Sequence, residues 1–320
     1  VSGNALAKVC AAIARCTDFR QTRPHPYKVS NSLYFRASKR KNTAIPTSNF
    51  AGKTRTTSHM NLSLLQKNAL VGGASAGIGR ATALELAALG ANVTLMARTE
   101  ATLRETMLSL DTTQGQQHRF LIVDFSDSKG LVSAVSTLLE GQMIHILVNN
   151  TGGPAGGPIT EASSEAFLGT YHNHLICNQL LAQAVLPGMK TEGYGRIVNI
   201  ISTSVKEPLD GLGVSNTTRW AVAAWAKTWA NEVGQFGITV NNVLPGFTRT
   251  GRLEEIIEKR AAANASTSAA IETQFKNQVP MRRFAEPSEV AAAVAFLASP
   301  AAAYINGINL PVDGGRTRSL

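Results

Sequence analysis

Residues 67–98 constrain this chain more than any other stretch. Lys67-Asn68-Ala69-Leu70-Val71 reads as a short buried strand, and Gly72-Gly73-Ala74-Ser75-Ala76-Gly77-Ile78-Gly79 reads as a glycine-rich turn. Arg80 to Leu89 follows as a helix, and Asn92 to Ala97 as a second strand that runs into Arg98. Strand, glycine turn, helix, strand is a βαβ unit with the glycines at its first crossover. There a backbone without Cβ atoms, next to a helix N-terminus, gives N–H groups close access to a pyrophosphate. The plain alternative is a tight turn with no ligand, and the position between strand and helix argues against it. An acid at the end of the second strand would bind a ribose 2′-hydroxyl, but Ala97 stands there. Arg98, with Arg80 to assist, suits a 2′-phosphate, which points to NADP(H) over NAD unless both arginines are solvated surface charges.

The net charge of +10 invites a nucleic-acid or membrane partner until it is located. Residues 1–59 hold eleven Lys and Arg against the one acid Asp18, and residues 60–320 carry 20 Lys and Arg against 20 Asp and Glu. The body is neutral, so no nucleic-acid partner is expected. The tail is acid-poor and rich in Ser and Thr, and Ala5 to Cys16 has the pattern of a basic amphipathic helix. Such a tail is similar to a mitochondrial or plastid transit peptide. Translated upstream sequence, an expression scar around Ser58-His59-Met60, and a basic nucleic-acid arm are the alternatives; without a transit peptide the expected location is cytoplasmic. Cys10, Cys16 and Cys177 form neither a disulfide framework nor a metal spacing, so no metal is expected. No run of 18 apolar residues exists, so no membrane span is expected.

Through the body, apolar strands alternate with helical segments at the spacing of parallel βαβ units. Further strands are read at His118–Val123, Met143–Asn149, Arg196–Ile201, Thr239–Val243 and Ile308–Val312. Helices are read at Glu100–Leu110, Lys129–Gly141, Ser163–Met189, Ser215–Val233, Arg252–Lys276 and Ser288–Leu297. The expectation is an α/β protein: one Rossmann-type domain over residues 60–320, with a doubly wound parallel sheet, after a disordered or targeting tail.

Six segments in order carry a resemblance: Gly73 to Gly79, Asp124, Asn149-Asn150-Thr151-Gly152, Gly195 to Ile200, Val240 to Gly246, and Leu310 to Gly315. Over residues 62–315 the chain resembles the short-chain dehydrogenase/reductase family, and within it the 3-oxoacyl-acyl-carrier-protein reductases. The resemblance implies a sheet of about seven strands, NADP(H) as cofactor, a small-molecule or acyl-thioester carbonyl substrate, and a homo-oligomer. It also implies cofactor contacts from Gly73, Ser75, Gly77, Ile78, Gly79 and Arg98. Asp124 would meet the adenine and Asn149 the adenine ribose, with Thr151 and Gly152 beside them. Pro245, Gly246, Thr248 and Thr250 would hold the nicotinamide.

Carbonyl reduction by hydride needs a proton donor for the developing alkoxide and a group to polarise the oxygen. The family supplies Ser, Tyr and Lys, with Tyr and Lys four residues apart on one helical face, and an Asn on the preceding long helix. Ser202 matches the serine and Asn173 is matched to the asparagine. The tyrosine position, however, is Ser215 and the lysine position is Arg219. An aliphatic hydroxyl is a far weaker acid than a phenol, and a guanidinium holds its proton to pH above about 12. Tyr171, Tyr194 and Tyr304 are the nearest phenols in sequence, and none shares a helical face with Ser215. Lys206 and Asp210, in the loop before it, are read as solvated charges. Trp220, Trp225 and Trp229 share one helix and are expected to pack rather than to bind substrate, since Trp225 and Trp229 stand four apart on one face, and the resemblance implies burial at an oligomer interface. Two functions stay open: an NADPH-dependent 3-oxoacyl-type reductase with an altered tetrad, or a catalytically impaired NADP-binding sensor or partner subunit.

Overall fold

The computed structural model describes residues 59–319, and the expectations for the tail lie outside those residues. Seven parallel strands form one sheet: β1 (Asn68–Gly72), β2 (Asn92–Ala97), β3 (Arg119–Ile122), β4 (Ile146–Asn149), β5 (Gly195–Ile200), β6 (Ile238–Pro245) and β7 (Asn309–Val312). Their spatial order is β3-β2-β1-β4-β5-β6-β7. Strand order reverses between β1 and β4, and that switch point opens a crevice at the carboxyl ends of the strands.

Alternating side chains feed two cores, as the two-residue period of a strand requires. Ala69, Val71, Ile146, Val148, Val198 and Ile200 turn to one face, where they meet Leu86 of α1 (Gly77–Ala88), Leu103 of α2 (Glu100–Leu108) and Val290 and Val294 of α9 (Pro287–Ala298). Leu70, Leu147, Ile197 and Val240 turn to the other. There they meet Leu131 of α3 (Ser128–Gly141), Leu181 and Val185 of α5 (Cys177–Glu192), and Ala226 of α6 (Gly213–Val233). The central strands β1, β2, β4, β5 and β6 are almost wholly buried because both faces are covered, while the edge strands β3 and β7 are partly exposed.

Four asparagines rivet the carboxyl half of this sheet. Asn149, Asn199, Asn242 and Asn309 stand in register on β4 to β7. Each amide donates from Nδ2 to the next Oδ1 at 2.8 Å. The ladder pairs these buried amides in turn, leaving the Asn149 Oδ1 at its start without a partner, and it fixes strand register next to the crevice.

Two elements differ from the sequence reading. The helix expected over Ser163–Met189 is α4 (Ser164–Tyr171), a π-turn at His172–Ile176, and then α5. The single helix expected over Arg252–Lys276 is two, α7 (Gly251–Ala263) and α8 (Ser268–Asn277). Ala265 between them takes a left-handed φ of 47°, and the Thr267 hydroxyl caps α8 by accepting from the Ala270 N–H at 3.2 Å. This pair shelters its own small core of Leu253, Ile257, Ile271, Phe275 and Phe284 beyond the ends of the strands. Trp225 and Trp229 pack as expected: their rings lie 5.9 Å apart, and both indoles donate to Oε1 of Gln179 on α5.

Candidate active site

The glycine turn after β1 has no room for side chains. A Cβ on Gly79 would lie 2.1 Å from the Gly73 carbonyl oxygen, and one on Gly73 would lie 2.7 Å from the Asn150 amide nitrogen. Gly73 and Gly77 also adopt left-handed φ values of 57° and 54°. Ile78 tucks against the core, while Ser75 is half-buried at the turn. Helix α1 then starts after Ala76 with no side-chain cap and no acid in its first turn. Its first N–H groups are therefore left to a ligand, and its dipole favours an anion.

Other loops close around that turn. A Cβ on Gly77 would sit 3.2 Å from the Thr250 methyl group, which places the segment after β6 directly against the glycine loop. Gly246 passes so close to Asp313 that a Cβ there would lie 2.8 Å from its Cα. Pro245 ends β6, the buried Thr248 donates to the Gly246 carbonyl at 3.3 Å, and the Thr250 hydroxyl caps α7. Arg98, just past β2, is exposed and makes no ion pair among the described residues, and its charge helps to lower the Asp124 pKa. Asp124 accepts from the N–H and hydroxyl of Ser126, which hold its carboxyl below the usual range.

The Asn149 side chain is 3% exposed; its Nδ2 donates to Asn199, and its Oδ1 has no hydrogen-bond partner among the described residues. The neighbour Asn150, not singled out from the sequence, instead donates to the Gly72 carbonyl at 3.1 Å and braces the glycine turn.

The second half of the site lies across the loop of residues 151–158. Ser202 follows β5, half-buried, and its Oγ accepts from the Ser204 N–H at 3.0 Å. Helix α6 begins at Gly213, two residues earlier than the sequence reading placed it, and a Cβ there would lie 2.5 Å from Ile159. Ser215 and, one turn on, Arg219 stand on its inner side, half-buried and buried respectively. Arg219 is 9% exposed, donates to the Ile200 carbonyl at 2.7 Å, and leaves its Nε unpartnered. Burial alone pulls its pKa down to about 10. The three tyrosines do not replace the missing phenol. Tyr171 is exposed, Tyr304 is wholly exposed, and the Tyr194 hydroxyl donates to the Ala298 carbonyl.

The asparagine position lies in the π-turn. Asn173 is half-buried, with its Oδ1 turned to the His172 ring at 3.3 Å. It is His174 that points inward: it is 4% exposed and its Nδ1 lies 2.6 Å from the Thr151 hydroxyl. It also hydrogen-bonds the Gly152 backbone, and burial, followed by the charge of Arg219, pushes its pKa down to about 2. The imidazole is therefore held neutral beside the loop after β4, within electrostatic reach of the buried guanidinium. The sequence reading singled out Asn173 and not His174, and nothing in the segment's composition announces the π-turn that turns His174 inward.

Comparison with known proteins agrees with this geometry. Residues 73–317 match the family described as enoyl-(acyl carrier protein) reductase. The chain belongs to the short-chain dehydrogenase/reductase family. It is 33% identical over 261 residues to the 3-oxoacyl-[acyl-carrier-protein] reductase FabG of Pseudomonas aeruginosa, covering 79% of this chain and 98% of that one. A chloroplastic tropinone reductase homolog of Arabidopsis thaliana is 31% identical over 303 residues, covering 94% of this chain and 87% of the relative. The L-sorbose reductase of Gluconobacter frateurii, solved with NADPH and L-sorbose, superimposes with a TM-score of 0.76 at 30% identity, over 82% of this chain and 100% of that one. Membership in an oxidoreductase family accounts for the glycine cradle and the crevice; it does not account for Ser215, Arg219 and His174.

Proposed function

We propose that this short-chain dehydrogenase/reductase uses NADPH to reduce the ketone of a 3-oxoacyl compound to a hydroxyl. The cofactor fits the residues present: a side-chain-free cradle at Gly73, Gly77 and Gly79, an uncapped α1 N-terminus for the pyrophosphate, and an unpaired Arg98 for the 2′-phosphate. When bound, its nicotinamide supplies the hydride.

The observation that carries the reading is the buried guanidinium of Arg219 beside the ends of β4 and β5, with a backbone carbonyl as its one hydrogen-bond partner. A fixed positive charge in a water-poor site stabilises negative charge that develops on a carbonyl oxygen, and it needs no reorganisation when hydride arrives. Ser202 can donate a second hydrogen bond to the same oxygen. The proton that completes the alcohol comes from solvent through a hydroxyl such as Ser215, because Arg219 holds its own proton near neutrality.

We further read residues 1–59 as an organelle transit peptide, supported by their acid-poor basic composition and by the chloroplastic relative. Among the described residues no helix is long and apolar enough to cross a membrane. Exposed Leu168 and Tyr171 on α4 support a homo-oligomer.

The test compares kcat/KM for an acetoacetyl thioester in wild type, Ser215→Tyr, Arg219→Lys and the double variant. Wild type should turn over measurably, and the double variant should gain part of the roughly 10²–10⁴-fold that a positioned acid contributes. Each single variant should gain less, since a phenol and the cation that tunes it act together. If all four bind NADPH and none consumes it, the chain is a cofactor-binding sensor or partner subunit instead.

A further inference from the structure

The chain leaves β7 at Val312 and turns at once, because one side chain gathers the backbone that follows it. Asp313 accepts from the Gly315 N–H at 2.9 Å through Oδ1 and from the Thr317 N–H at 2.8 Å through Oδ2. Its carbonyl accepts from the Arg316 N–H at 3.3 Å. Residues 313–319 therefore form an ordered strap, and the strap touches three segments around the crevice. At its start Asp313 lies against Gly246, whose N–H donates to the Val312 carbonyl at 3.0 Å. Midway, the Arg316 guanidinium lies 4.5 Å over the Phe247 ring, and the Met281 N–H, past the end of α8, donates to the Gly314 carbonyl at 3.3 Å. At its far end the N–H groups of Arg318 and Ser319 both donate to Oε1 of Glu207, at 2.8 and 3.1 Å.

Glu207 stands in the loop between Ser202 and Ser215, and the backbone that leads to it from Ser202 is not slack. The Ser202 carbonyl accepts from the Val205 N–H at 3.2 Å. The Thr203 carbonyl accepts from the N–H groups of Lys206 and Glu207 at 2.9 and 3.2 Å. The Trp220 indole of α6 donates to the Ser204 carbonyl at 2.9 Å. A displacement of Glu207 is carried through these turns to Ser202. Two successive backbone N–H groups on one carboxylate oxygen make a charge-assisted contact, stronger than a neutral pair. That contact joins the Ser202 loop to the segment after β6 that is read as holding the nicotinamide.

We infer that Glu207 is a positioning residue: through it the strap of residues 313–319 ties the Ser202 loop to the end of β6 and fixes the Ser202 hydroxyl for the carbonyl oxygen. This rests on the reductase reading above and adds a residue to it. Glu207 itself touches neither ketone nor cofactor in this arrangement; its work is done by the oxygen that accepts from the strap.

The experiment compares wild type, Glu207→Ala and Glu207→Gln. Glutamine keeps an Oε1 that can accept from both N–H groups, and alanine keeps none. Amide hydrogen exchange on the NADP⁺-loaded proteins needs no turnover. In Glu207→Ala, residues 203–212 and 316–319 should exchange faster, while the glycine turn at residues 72–79 keeps its wild-type protection; Glu207→Gln should match wild type throughout. With an acetoacetyl thioester, kcat of Glu207→Ala should fall by about tenfold to a hundredfold, the scale of a small misplacement of a reacting group, with NADPH affinity unchanged. Glu207→Gln should recover most of that loss. Unchanged exchange over residues 203–212 in Glu207→Ala overturns the strap. Faster exchange there with a wild-type kcat, or a Glu207→Gln variant as slow as Glu207→Ala, overturns the positioning role. If wild type reduces no ketone at all, the reductase reading fails, and the exchange comparison alone decides the strap.

Discussion

On the proposed reading, Arg219 is a side chain placed for chemistry at the expense of stability. It is buried, charged, and bonded to one carbonyl, while Arg196 at a similar depth has three carbonyls and a ring. Replacing an uncompensated buried cation with an apolar side chain of similar length removes its desolvation cost. Arg219→Met should therefore raise the melting temperature of the ligand-free protein, by an amount equivalent to about 1–3 kcal/mol, while abolishing ketone reduction. Differential scanning calorimetry on both proteins checks the first half and a turnover assay the second. A lower melting temperature in the variant would mean that Arg219 is a structural residue. The identity of this residue was legible in the sequence from its place four positions after Ser215. Its isolation was not, because the lack of a counter-ion depends on every acidic side chain in the folded body.

At the scale of elements, the π-turn at His172–Ile176 matters most. A π-turn admits one extra residue into a helix, and each residue rotates the following side chains by about 100°. The composition of the segment does not announce such an insertion, so the sequence favoured Asn173 where the structure turns His174 inward. The break between α7 and α8 was more legible. Asn264, Ser266 and Thr267 are cap-forming residues, and the Ala-rich flanks masked them. The buried His174 has a pH signature. Its folded pKa of about 2 lies below the ordinary value of 6.5, so below pH 6.5 the unfolded chain takes up a proton that the folded protein refuses. Its stabilising contribution is complete above pH 6.5 and is lost as the pH falls toward 2, at about 1.4 kcal/mol per pH unit. Urea denaturation of wild type and His174→Asn between pH 7 and pH 4 isolates this slope. Wild type should lose stability faster on acidification; parallel curves would show that His174 is not held neutral.

For the whole molecule, the sheet was the most legible part. Strand count, parallel direction and the switch-point crevice follow from apolar runs alternating with helical segments, and all seven strands stand where the pattern placed them, give or take a few residues at their ends. The asparagine ladder across β4 to β7 was hidden because its members lie up to 160 residues apart and meet only through strand register. The cofactor half of the crevice was read from local motifs, whereas the substrate half depends on loops whose contacts are long-range. The account as a whole stands on hydride transfer from NADPH to a ketone at a site that has Arg219 in place of the family's lysine. The most direct measurement supplies NADPH deuterated at the transferring position together with an acetoacetyl thioester, and analyses the product by mass spectrometry. The prediction is a 3-hydroxybutyryl thioester with one deuterium at the carbinol carbon from wild type, and none from Arg219→Met that still binds NADPH. Labelled alcohol from Arg219→Met at the wild-type rate, or none from a wild-type protein saturated with NADPH, would contradict it.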